Sequence, residues 1–130
     1  MATAADSRTV SLTMPAKPEY VVLARLALSA VCRLTPLAPD EVADLKLAIT
    51  EAAGLLVGAA PAEPAHLSFD YRLEDARLVL SIEGSPAPSP QPGDLDEREL
   101  GQEILRATAD EVEYGDGSVL LVKYLRSPGE

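Results

Sequence analysis

Hydrophobic and polar positions along this 130-residue chain fall into blocks of two periods. TVSLTM (9–14) alternates, with Val10, Leu12 and Met14 to one side, and predicts a half-buried strand. Pro15 and Pro18 stop it, and Pro18 suits the first turn of a helix. Residues 19–34 have helical spacing. Tyr20, Leu23, Ala27, Val31 and Leu34 form the expected inward stripe, with Arg25, Ser29 and Arg33 off it. TPLAPDEV (35–42) breaks that helix and starts another, because Pro39 pre-sets the helical φ and Asp40 and Glu41 favour the positive end of the helix dipole. Val42, Leu45, Ile49, Ala52 and Leu56 then recur every three or four residues, and Asp44, Ala48, Glu51, Leu55 and Gly58 lie on a neighbouring face. GAAPAEPA (58–65) ends the helix.

Alternation returns in LSFDYRL (67–73) and RLVLSIE (77–83), which predict an antiparallel hairpin. Pro86, Pro88, Pro90 and Pro92 then exclude a central strand or a helix and favour an extended, exposed loop over 84–97. A third helix is expected from about 95 to 110, with Leu100, Ile104 and Leu105 inward. VEY (112–114), the turn GDG and SVLLVKYL (118–125) make a last hairpin. Residues 1–8 and 127–130 read as flexible ends around one domain at 9–126. The order β-α-α-β-β-α-β-β predicts an α+β fold: a two-layer sandwich of a mixed or antiparallel sheet of about five strands, with three helices on one face.

Composition narrows the function. A net charge of −10 and a pI near 4.5 oppose phosphate backbones and anionic membranes, so neither direct nucleic-acid nor membrane binding is expected. No apolar run approaches the roughly 20 residues of a membrane-spanning helix, and no secretory signal is visible, so a cytoplasmic location is expected. Cys32 is the one cysteine and reads as a small buried hydrophobe. His66 is the one histidine, at a strand start, and no Cys/His cluster offers a metal site.

Three stretches together carry a resemblance: MPAKPEYVVLARLALSAV, DEVADLKLAITEAAGLLV and ELGQEILRATADEVEYGDGSVLLVKYL. They resemble the anti-sigma-factor serine kinases of the GHKL (Bergerat-fold, histidine-kinase-like) ATPase superfamily, over about residues 10–125. The resemblance implies that fold, and a nucleotide site made of three boxes. In the first, E-A-x-x-N-A on a helix, the Glu acts as base and the Asn gives an oxygen to Mg²⁺. Here the Glu is Glu51, but Leu55 stands at the Asn position and has no lone pair. In the second, D-x-G-x-G after a strand, the Asp receives the adenine amine. Glu83 stands there, one methylene longer and expected to intrude on the adenine edge, with Ser85 and Ala87 at the glycine positions. In the third, G-x-G precedes a helix whose N–H groups hold phosphates. Glu99-Leu100-Gly101 keeps one glycine, Gly101, amid Asp94, Asp96, Glu97 and Glu99, and the proline-rich stretch replaces the lid.

With all three boxes altered, the expectation is a pseudokinase-like chain with Glu51 as a vestigial base and with no cofactor or metal. It would bind a sigma factor or a STAS-domain antagonist, which family members respectively sequester and phosphorylate on serine. The alternatives are an active ATP- and Mg-dependent serine kinase, and a non-catalytic heterodimer partner or ligand sensor. A homodimer is a further expectation from the resemblance.

Overall fold

A computed structural model describes residues 8–57, 65–85, 95–115 and 117–125, with 95–98 described by their backbone. Among these, five strands and three α-helices run in the order β1 (Arg8–Pro15), a 3-10 turn (Pro18–Tyr20), α1 (Val21–Cys32), α2 (Pro39–Val57), β2 (His66–Leu73), β3 (Arg77–Ser85), α3 (Leu95–Thr108), β4 (Glu111–Gly115) and β5 (Ser118–Tyr124). The sheet order is β1-β2-β3-β5-β4, and every pairing is antiparallel. Of the two arrangements left open by the sequence, the antiparallel one is therefore present, in an α+β fold.

Strand alternation fixes which side chains meet the helices. The cross-strand rows on that face are Leu12–Phe69–Ile82–Val119–Tyr114 and Val10–Tyr71–Leu80–Leu121–Val112. Their central members are buried, whereas Val10 on edge strand β1 is exposed. The opposite face carries Thr9, Ser11, Asp70, Arg72 and Ser81, and there Thr13 and Ser68 share a hydroxyl contact of 3.3 Å. One core of Met14, Leu28, Leu45, Ile49, Phe69, Leu80, Leu105 and their neighbours lies between sheet and helices. Tyr71 also donates its hydroxyl to the Ala24 carbonyl at 2.8 Å, stitching α1 to the sheet. That hydrogen bond satisfies the polar end of the buried phenol.

The helices start and stop as local chemistry requires. Glu41 Oε1 accepts the Ala38 N–H at 2.9 Å, half of a capping box at the start of α2. Thr35 Oγ1 donates to the Cys32 carbonyl at 2.7 Å, closing α1. Lys123, on the helix face of β5, reaches Glu41 at 3.6 Å and Asp110 at 3.7 Å, and Asp110 also accepts the Tyr124 N–H at 2.7 Å. No described helix is long and apolar enough to cross a membrane.

Four sequence expectations change. The inward stripe of α1 is Val21, Ala24, Leu28, Val31 and Cys32; Tyr20, Leu23 and Leu34 are exposed. VVLARLALSAVC is apolar nearly all round, so two stripes fit the same period, and small Ala24 lets Tyr71 approach. On α3 the inward row is Gly101, Leu105 and Thr108, while Leu100, one step of about 100° away, is exposed. β3 runs on through Ser85 and α3 begins at Leu95, so both ends of the expected 84–97 loop are regular structure. Arg8, expected to be flexible, opens β1. Residues 1–7, 58–64, 86–94, 116 and 126–130, and the expectations for them, lie outside the described residues.

Candidate functional site

The three sequence-predicted positions on helices converge. Glu51 and Leu55 lie one turn apart on α2, on the flank that packs against α3. Gly101 of α3 is buried against both: a Cβ added there would stand 3.4 Å from Glu51 Oε1 and 3.6 Å from Leu55 Cδ2. At those distances a methyl group would be in ordinary van der Waals contact, so the α3 backbone lies close on α2 with space for little more than an alanine. Leu55 is partly buried and joins the edge of the core.

Glu83 and Ser85 go elsewhere. Ile82 is fully buried on the helix face, so alternation turns Glu83 to the opposite face, where it is exposed and lies between Ser68 and Ser118. Ser85 shares that face and pairs with His66, which is also exposed. The expected intrusion of Glu83 on an adenine edge is thus corrected: its side chain is on the wrong side of the sheet. The residue that β3 turns toward the helices at this end is Gly84, in the row Met14–Leu67–Gly84. The Gly84 N–H is spent on the Gly117 carbonyl at 2.9 Å, and Gly117, at φ 75°, forms the β4–β5 turn. Extending the alternation Leu78, Leu80, Ile82 by one step would have found Gly84 from sequence. Strand β3 thus presents no carboxylate to the helix side there.

The backbone at Gly101 is also committed. Gly101 is the seventh residue of α3. Only the first four N–H groups of an α-helix lack an intrahelical acceptor, so that of Gly101 points at the carbonyl four residues earlier. The end of α3 with free N–H groups lies about 1.7 turns before Gly101. Among the described residues, no group of three or more His, Cys, Asp or Glu is placed to hold a metal ion. Ala87 and Asp94 lie outside the described residues, as do the side chains of Asp96 and Glu97.

A layer of helices over an antiparallel sheet, with a second helix bearing Glu51 and a third seated on it, is the frame expected from the resemblance. The model of the histidine kinase-like ATPase domain matches residues 14–123. The chain belongs to that family. Among its relatives, serine-protein kinase RsbW of Bacillus subtilis (strain 168) is 30% identical over 136 residues, covering 89% of this chain and 85% of the relative. RsbW of Bacillus cereus (strain AH187) is 26% identical over 136 residues, covering 90% and 85%. RsbW of Listeria innocua is 33% identical over 84 residues, covering 63% of this chain and about half, 52%, of the relative's length.

Proposed function

We propose that this domain is an anti-sigma-type regulator that binds a sigma factor or a STAS-domain antagonist without transferring phosphate. The observation that carries this reading is the company kept by Glu51. Leu55 supplies a methyl-rich surface where Mg²⁺ needs an oxygen, and Gly84 supplies no side chain where adenine needs a carboxylate. These residues do not fit Mg-ATP. The surface supports protein binding instead. Outward positions of α1 carry Val22, Leu23 and Leu26, at 51%, 47% and 62% exposure, beside Arg25. An apolar helix face left open on an otherwise strongly acidic chain suits a protein partner. The same face would serve a homodimer.

One observation favours a second reading, an active serine kinase: the relatives are named serine-protein kinases. Calorimetric titration with Mg-ATP and Mg-ADP, followed by a labelled-phosphate assay on a purified STAS-domain antagonist, separates the two. No heat and no transfer, together with co-purification of a sigma factor or that antagonist, is the expected result. Transfer of label to serine would replace this proposal with the kinase reading.

A further inference from the structure

We propose that the C-terminal half of α3, from Gly101 onward, is fastened at both of its ends in one position, irrespective of adenine nucleotide, so that this half of the helix relays no nucleotide state to a protein partner. The inference rests on the non-catalytic reading above and adds the absence of a switch. At one end the buried Gly101 backbone lies on Glu51 and Leu55 without room for more than a methyl group. At the other end, α3 runs into Asp110, whose N–H donates to the Val122 carbonyl at 2.9 Å. The Asp110 carboxylate takes the Tyr124 N–H and contacts Lys123, and Lys123 reaches Glu41 in the first turn of α2. Between these points Leu105 is fully buried and Thr108 returns its hydroxyl to the Ile104 carbonyl at 2.7 Å. A swing of α3 would break the contact at each end, and the Gly101 N–H, already bonded within the helix, gives a phosphate nothing to pull on.

The test is amide hydrogen exchange on the full chain, alone and with saturating Mg-ATP or Mg-ADP, with calorimetry on the same samples. Amides of residues 101–108 should exchange on the order of a hundredfold more slowly than coil without nucleotide, and nucleotide should not change this. Gly101→Leu should speed α3 exchange by about tenfold while β2 and β3 stay protected; Gly101→Ala, whose methyl just fits, should behave as the parent. Coil-like exchange of α3 in the parent chain, or protection that appears only with nucleotide, overturns the proposal. So does Gly101→Leu with unchanged α3 protection. If Gly101→Leu unfolds the whole chain, the parent and Gly101→Ala data decide. Nucleotide heat with a rigid, unchanged α3 would sink the non-catalytic reading and leave the fastening. A mobile α3 without heat would sink the fastening alone.

Discussion

Replacing Leu55 by Asn restores the side chain that the resemblance implies for Mg²⁺, and the structure gives reasons why it restores nothing else. Leu55 is half-buried against Gly101 and the core edge. Full burial of a leucine is worth about 1.5–3 kcal/mol, so losing half of that costs roughly 1–1.5 kcal/mol. The poorer helix propensity of Asn adds about 0.5 kcal/mol. A total near 2 kcal/mol should lower the melting temperature of a domain this size by roughly 5–10 °C. Against that loss, a nucleotide present at a hundred times its dissociation constant would stabilise the fold by about 2.7 kcal/mol. Thermal melts of Leu55→Asn with and without Mg-ATP thus have a large window in which to show binding. The expected outcome is a lower melting temperature and no shift with Mg-ATP, because Gly84 still lacks a carboxylate and the Gly101 N–H is still inside a helix. A nucleotide-dependent rise of several degrees would refute the argument that separate changes, not Leu55 alone, account for the altered site.

Other outcomes follow from the core and its ties. Tyr71→Phe removes the hydroxyl held by the Ala24 carbonyl and should cost about 1 kcal/mol in urea melts, with the native fold kept. Burial pushes the Cys32 thiol up to about 11 from 9.0, partly offset by the Lys46 charge, and burial also raises the Tyr71 phenol above its ordinary 10.0. Both groups stay neutral in the fold while the unfolded chain ionises, so their stabilising effect is complete below pH 9 and is lost as pH rises. Denaturant melts should show stability falling between about pH 9 and 11, less steeply in Cys32→Ala, with the Tyr71 share beginning near 10. A flat profile over that range would contradict the burial of both groups. Lys123→Met leaves Glu41 and Asp110 facing each other without their shared cation and should cost about 1–2 kcal/mol, with high salt narrowing the difference.

The sheet was largely legible because its strands alternate cleanly: Phe69, Tyr71, Leu80 and Ile82 face inward as their period demands. The α2 face was legible because polar residues interrupt it, so one stripe fits. α1 was not, since its composition hardly distinguishes inside from outside, and tertiary contact with Tyr71 made the choice. Within the site, Glu51, Leu55 and Gly101 were picked by resemblance and do meet. Motif matching points to the Glu83 carboxylate, whereas the strand alternation turns Gly84 to the helix side and Glu83 away from it. The tie from Asp110 through Lys123 to Glu41 joins residues far apart in sequence, and no local pattern announces it.

The two turns of helix that precede Gly101 have an evolutionary consequence. Point mutations at Leu55 or Gly84 change side chains one at a time, but placing free N–H donors beside Glu51 requires unwinding α3 first. Every early step on that road weakens the fold before any ligand rewards it. Those turns therefore behave as a ratchet, and variants of this chain gain new protein contacts more readily than free backbone donors beside Glu51.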